Sequence, residues 1–97
     1  MNKKIRKKII EFRDKRNWAQ YHKGEHLAKA LIIEAAELLE CFQWENEAKD
    51  LEHLKEELAD VLIYAILIAD RYDFDIEEII LNKIEKNKIK YPLKDEG

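Results

Sequence analysis

Two pairs of carboxylates in the middle of the chain have the spacing to share a helix face. Glu34 and Glu37 form an E-x-x-E motif, and Glu57 and Asp60 form an E-x-x-D motif farther along. Residues three apart are neighbours on a helix surface, so each pair would present its oxygens side by side. Four carboxylates of this kind make an all-oxygen site that suits Mg²⁺ or Mn²⁺.

Both pairs lie on helix faces that are otherwise apolar. At about 100° per residue, the residues within about 60° of Glu34 include Leu27, Ala30, Leu31, Leu38 and Cys41. The face of Glu57 is shared by Leu54, Val61, Tyr64 and Ile68. A carboxylate on such a face is unfavourable unless a partner compensates its charge.

Two kinds of partner could compensate these charges. A Lys or Arg could form ion pairs, or the four carboxylates could converge on a divalent cation. Consecutive helices with a short loop pack antiparallel, and both pairs lie at similar distances from the loop near Asn46. This matched depth favours the metal site, although such motifs also arise by chance in Glu-rich helices. The chain has no Glu-x-x-His motif, which argues against a di-iron site.

The composition favours a small all-α protein. The chain has 97 residues, 46% hydrophobic and 40% charged, with two Gly and one Pro. So few turn residues argue against a sandwich or barrel, and the hydrophobic share argues against disorder. We therefore predict an all-α fold in a single domain, residues 1–97. A chain this short buries a modest core alone, so oligomerisation is expected.

Charge is segregated along the chain, although the formal net charge is only −3. Residues 1–16 and 83–94 are rich in Lys and Arg, whereas residues 34–60 are rich in Asp and Glu. This distribution suggests a cation site beside an anion site. The alternative is a set of solvated helix faces with ordinary salt bridges.

Hydrophobic periodicity predicts four helices, with ranges 2–20, 25–44, 48–72 and 76–90. Gly24 is predicted to stop the first helix, and Asn46 to cap the third. Asp75 is expected to cap the fourth helix, which ends before Tyr91 and Pro92.

Cys41 is the only cysteine, which excludes an intrachain disulfide and a thiolate-rich zinc site. The longest apolar run, residues 61–69, is too short to cross a bilayer. No signal-peptide core follows the basic start of the sequence, so we expect a cytoplasmic location.

Five stretches occur in order over residues 12–92. They are FRDKRNWAQYH (12–22), EAAEL (34–38), FQW (42–44), EELADVLIY (56–64) and KIEKNKIKYP (83–92). In this combination the chain resembles the all-α nucleoside triphosphate pyrophosphohydrolases, the MazG-like superfamily. Within that superfamily it is most similar to the dCTP pyrophosphatase type.

The resemblance implies a metal-dependent hydrolase. Family members bind Mg²⁺ at the positions of Glu34, Glu37, Glu57 and Asp60, and they hydrolyse a nucleoside triphosphate to the monophosphate and pyrophosphate. Glu37 and Glu34 are the candidate catalytic residues, and we expect Glu37 to activate water. The implied substrate-binding residues are Trp18, His22 and Trp44 for the base and sugar, Tyr64 beside the metal, and Lys83, Asn87 and Tyr91 in the triphosphate motif.

We therefore expect a MazG-like four-helix bundle that is completed by a second chain, in a homodimer or homotetramer. The expected function is Mg²⁺-dependent hydrolysis of dCTP-like or non-standard nucleotides, with Mn²⁺ as an alternative ion. Two alternatives are a non-catalytic nucleotide-binding module and a nucleic-acid-binding protein that uses the basic N-terminal segment. Glu40, His53 and Glu56 are expected at the surface or behind the metal ligands.

Overall fold

The computed structural model describes residues 3–94, which form four α-helices and no strand. The helices are α1 (Lys3–Lys15), α2 (Gly24–Glu40), α3 (Leu51–Arg71) and α4 (Ile76–Lys90), with a short 3₁₀ turn at Trp18–Tyr21. The predicted all-α class is confirmed. The cap of α4 is also as predicted, since the Asp75 carboxylate accepts a hydrogen bond from the backbone N–H of Glu78.

Three predicted helix boundaries are wrong. The first helix ends at Lys15 because Asn17 adopts the left-handed conformation (φ 55°), and its predicted start at Asn2 lies outside the described residues. The second helix ends at Glu40 instead of residue 44. The third begins at Leu51 and is capped by Asp50, whose carboxylate accepts the backbone N–H of residue 53, so Asn46 is not the cap.

Gly24 begins α2 instead of stopping α1. A Cβ atom at this position would overlap the hydroxyl group of Tyr72, which follows α3. Glycine therefore permits a close approach between the start of α2 and the end of α3. The residue acts here through its lack of a side chain, because its φ is not positive.

α2 and α3 pack against each other as an antiparallel pair, and this is the main helix interface of the described chain. The start of α2 meets the end of α3 at Gly24 and Tyr72, while carboxylates from later in α2 and earlier in α3 meet farther along. The buried apolar residues are Leu27 on α2 and Ile66, Leu67 and Ala69 on α3. This small core belongs to the same pair of helices that brings Glu34, Glu37 and Glu57 together.

α1 is held against α3 by a three-residue ion cluster. Asp70 accepts a hydrogen bond from Arg6 Nη2 at 2.8 Å and another from Arg13 Nη1 at 2.9 Å. Burial alone would raise the pKa of the Asp70 carboxyl, but the hydrogen bonds from Arg13 and Arg6 outweigh it and hold that pKa below its usual value. Charge-assisted bonds of this kind fix the position of α1 on the helix pair.

We expect Asp70→Asn to lower the free energy of unfolding by about 1–2 kcal/mol, because it removes the charge from two charge-assisted hydrogen bonds. The carboxyl has a depressed pKa in the folded protein, so its stabilisation is complete above the ordinary value of 3.8. It is lost as the pH falls through the lower folded value. Thermal unfolding at neutral pH measures the difference. Asp14→Asn is the control, since Asp14 pairs with Arg13 at the exposed surface, and an equal loss in both variants would contradict the assignment.

α4 lies apart from this packed unit. Within the described residues it forms no interface comparable to that of α2 and α3, and none of its residues is buried. The radius of gyration is 16.4 Å, whereas a compact chain of this length has a value of about 13 Å. The bundle is therefore not closed by the described chain alone.

One side of α4 combines apolar and functional residues. At about 100° per residue, a single band of the helix and its C-terminal end carries Ile76, Ile79, Ile80, Lys83, Ile84, Asn87 and Tyr91. We call this band the α4 stripe. Ile89 points to the opposite side and is 83% exposed. The stripe has the pattern of a helix face that packs against a partner.

None of the helices in the described part of the chain is both long enough and apolar enough to cross a bilayer.

Candidate metal centre

Three carboxylates from two helices converge at the α2–α3 interface. Glu34 and Glu37 on α2 and Glu57 on α3 each offer one oxygen, and these oxygens lie within 4.8 Å of one another. We call these three residues the carboxylate cluster. Asp60, one turn beyond Glu57, acts electrostatically on both Glu34 and Glu57 but lies outside this tight group.

Two oxygens of the carboxylate cluster are buried and unsatisfied. Glu34 Oε2 and Glu57 Oε2 have no hydrogen-bond partner in the described structure. Of the ion pairs formed by described residues, none joins a Lys or Arg to the cluster; the basic side chain nearest to it is His53, with Nε2 3.9 Å from Glu57 Oε1. Buried carboxylate oxygens are costly without a partner, so the cluster has the donor set and the unmet demand of a cation site.

Electrostatics within the cluster oppose full ionisation. Burial raises the pKa of the Glu34 and Glu57 carboxyls above the usual value, and the Glu37 carboxyl beside them raises both further. A positive charge on the His53 ring would lower the pKa of the Glu57 carboxyl. A divalent cation would remove this repulsion, and carboxylate oxygens are the ligands that Mg²⁺ and Mn²⁺ prefer.

Without metal, we expect Glu57→Gln to raise the melting temperature at neutral pH, because the ionised Glu57 carboxylate opposes folding. The folded state holds its proton more tightly than the unfolded state, whose pKa is near 4.5. Stability therefore rises as the pH falls through the raised folded value, and the gap between variant and wild type closes toward acid pH. Calorimetry in EDTA measures this gap. Comparison at each pH cancels other titrating groups, and a variant less stable than wild type at neutral pH would contradict the repulsion.

Tyr64 lies beside the carboxylate cluster, on the same side of α3. Burial raises the pKa of its hydroxyl, and the charges of Glu34 and Asp60 raise it further. The role of Tyr64 in binding substrate stays a prediction.

Trp18 and His22 form an aromatic group at the 3₁₀ turn. The Trp18 ring packs edge-on against Phe12, with centroids 5.4 Å apart, and lies 6.4 Å from the His22 ring. The guanidinium of Arg16 lies over the Phe12 ring, 3.6 Å from its centroid. His22 Nδ1 is buried without a hydrogen-bond partner, and burial followed by the Arg13 charge lowers the His22 pKa. The structure thus brings Trp18 and His22 together, and their role in binding base and sugar stays a prediction.

Trp44 lies in the loop between α2 and α3 and is 86% exposed. It lines a cavity of about 390 Å³ together with Cys41, Asp50 and His53. Because His53 also faces Glu57, this cavity lies next to the carboxylate cluster. An exposed indole beside the carboxylate cluster is suited to stacking on an aromatic ring.

The three remaining candidates belong to the α4 stripe. Lys83 and Tyr91 are exposed and Asn87 is half-buried. Among the described residues, no hydrogen bond or ion pair joins any of them to the carboxylate cluster. The described chain therefore brings three of the carboxylates together and Trp18 next to His22, but it does not bring the α4 residues to the carboxylate cluster.

Comparison with known proteins places these features in a family. A sequence model of the MazG-like family matches residues 29–97. The chain is 37% identical to dCTP pyrophosphatase 1 of Rattus norvegicus and 36% identical to that of Homo sapiens. These alignments cover 92% and 91% of the chain but only 58% and 57% of the relatives, so the chain spans little more than half of their length.

A solved structure matches the fold over almost its whole length. The crystal structure of a pyrophosphatase from Archaeoglobus fulgidus superposes with a TM-score of 0.82 at 39% sequence identity. The match covers 93% of this chain and 91% of that one. Together with the family model, it leads to one conclusion: the chain belongs to the MazG-like family.

Proposed function

We propose that this domain, residues 1–97, hydrolyses a nucleoside triphosphate to the monophosphate and pyrophosphate in a Mg²⁺-dependent reaction. The observation that carries the proposal is the carboxylate cluster, with two buried oxygens that lack a partner. The names of the relatives, dCTP pyrophosphatase and pyrophosphatase, support this reaction class. Mn²⁺ has the same ligand preference and is expected to substitute.

The cluster residues and Asp60 would have two roles in hydrolysis, cation binding and proton transfer. Glu34, Glu37 and Glu57, together with Asp60 one turn beyond Glu57, would hold the ion, which when bound would polarise phosphoryl oxygens and lower the pKa of water. We propose that a Glu37 oxygen not used in coordination accepts a proton from the attacking water, with Glu34 as the second catalytic carboxylate. The water oxygen bonds to the α-phosphorus. The bond from the α-phosphorus to the oxygen that bridges the α- and β-phosphates breaks, and pyrophosphate leaves with the electron pair of that bond.

Aromatic side chains are proposed to hold the base and sugar. Trp44 borders the cavity beside the cluster, and Trp18 with His22 forms the second aromatic group. Stacking of a base on an aromatic ring contributes about 1–3 kcal/mol. The name of the relatives, dCTP pyrophosphatase 1, supports a pyrimidine deoxynucleotide as the substrate. We therefore propose that this chain acts on dCTP-like or non-standard nucleotides and cleanses the cytoplasmic nucleotide pool.

We further propose that a homodimer or homotetramer completes the bundle and the site. The α4 stripe leaves its isoleucines uncovered, and large uncovered apolar faces favour association. Lys83 and Asn87 lie on the same stripe. Burial of the stripe against a neighbouring subunit would therefore bring a cation and an amide to a carboxylate cluster, where a triphosphate needs both.

A nucleotide panel tests the proposed reaction. Purified protein is incubated with Mg²⁺ and each of the standard and modified deoxynucleoside triphosphates, and pyrophosphate release is measured. We expect release from at least one pyrimidine nucleotide, with dCTP-like substrates fastest. No release from any nucleotide by a protein of intact helical content would reject the enzyme in favour of a binding module.

A further inference from the structure

We infer that His53 is a positioning residue that orients the Glu57 carboxylate for cation binding, an inference that rests on the proposed metal centre. The two side chains lie four residues apart on α3, with His53 Nε2 3.9 Å from Glu57 Oε1. The other carboxylate oxygen, Oε2, is buried and has no hydrogen-bond partner. Glu57 thus turns one oxygen toward an imidazole and leaves the second one unsatisfied.

The backbone of His53 is fixed while its ring is free to adjust. The His53 N–H donates to the capping Asp50 carboxylate at 3.0 Å, which anchors the first turn of α3. The side chain is half exposed, and its ring makes no other hydrogen bond within the described residues. The 3.9 Å separation of Nε2 and Oε1 exceeds hydrogen-bond length by about 1 Å, so the positioning role requires the ring to approach Glu57 by that amount when a cation binds.

An imidazole suits this position better than a Lys or Arg would. A permanent cation at Glu57 would neutralise the carboxylate and repel a divalent ion in the same site. A neutral imidazole offers an N–H donor to one oxygen without adding a charge. Hydrogen bonds of this kind to ligating carboxylates fix their orientation, and their loss weakens metal binding by about 10- to 100-fold.

His53 also borders the cavity that contains Trp44. A role confined to nucleotide contacts would leave cation binding in the absence of nucleotide unaffected. Direct cation binding therefore separates the positioning role from a substrate contact.

The test is titration of the nucleotide-free protein with Mn²⁺, with free Mn²⁺ measured by electron paramagnetic resonance. We expect His53→Ala to weaken Mn²⁺ binding about 10-fold and His53→Gln, which keeps an N–H donor, to restore most of it. Lys55→Ala is the matched control, because Lys55 lies on the same helix and pairs with Glu52 at the surface. Circular dichroism verifies the helical content of each variant.

Wild-type Mn²⁺ affinity in His53→Ala would overturn the positioning role of His53 while leaving the metal centre intact. Equal losses in the Ala and Gln variants would also overturn it, because the N–H donor would then be irrelevant. If the wild-type protein itself failed to bind Mn²⁺, the metal centre and the proposed function would fall together.

Discussion

Replacing Glu57 with glutamine is expected to abolish Mg²⁺-dependent pyrophosphate release while the helical content remains that of the wild type. Glu57 supplies the α3 oxygen of the carboxylate cluster. An amide oxygen carries no net charge, so the variant loses most of the cation affinity at this position. Loss of the several kcal/mol that a metal contributes to the transition state corresponds to a fall in kcat/KM of about 10³-fold or more.

The neighbouring residue provides the control for this substitution. Glu56 has the same chemistry but is exposed and outside the cluster. We expect Glu56→Gln to retain activity and to be stabilised by Mg²⁺ as the wild type is. A Glu57→Gln variant with wild-type turnover, or one that Mg²⁺ still stabilises against heat to the same extent, would contradict the ligand assignment.

The second large effect is expected from Ile84→Asp on the α4 stripe. An aspartate at the centre of a buried subunit interface would be an unpaired charge in an apolar surface. We expect the assembly to dissociate into monomers in light scattering after size-exclusion chromatography. Nucleotide hydrolysis should fall with it, because Lys83 and Asn87 occupy the same stripe.

Ile89→Asp is the matched control, since Ile89 lies on the opposite side of α4 and is largely exposed. We expect this variant to keep the wild-type mass and activity. A wild-type protein that is monomeric at micromolar concentration and fully active would contradict the proposed assembly. Monomeric but fully active Ile84→Asp would show that the site does not need the partner.

The carboxylate cluster is the part of the molecule that sequence reasoning reaches most directly. Helical period alone places Glu34 and Glu57 among apolar residues, and the short connection between their helices implies an antiparallel pair. The structure then brings both residues together with Glu37. Asp60 follows at the next turn and acts on the same charges, and the ligand roles of all four carboxylates stay predictions.

The boundary errors have local physical causes. Asn17 leaves the helical conformation, and such a single left-handed residue has no periodic signature. Gly24 resembles a helix stop in the sequence, but it begins α2, where its lack of a side chain permits a close contact with Tyr72 after α3. Asp50 outcompetes Asn46 as the cap because it directly precedes the first turn of α3. Of these three causes, only the contact of Gly24 with Tyr72 is tertiary and therefore lies outside any local window of sequence.

The remaining parts of the site depend on geometry between elements. The sequence leaves His53 either at the surface or behind the metal ligands, and the structure shows its Nε2 atom 3.9 Å from Glu57 Oε1, one turn away on α3. The α4 stripe shows an amphipathic pattern, but within the described residues α4 forms no interface comparable to that of α2 and α3. An amphipathic pattern alone does not identify the surface that would cover such a face.

Phosphorus NMR of dCTP hydrolysis tests the central claim most directly. The wild-type protein is incubated with dCTP and Mg²⁺, the product resonances are assigned, and the reaction is repeated after addition of excess EDTA. We predict dCMP and pyrophosphate in equal amounts with Mg²⁺ and no turnover in EDTA. Release of orthophosphate with dCDP, or hydrolysis that continues at the same rate in EDTA, would contradict a metal-dependent pyrophosphohydrolase built on the carboxylate cluster.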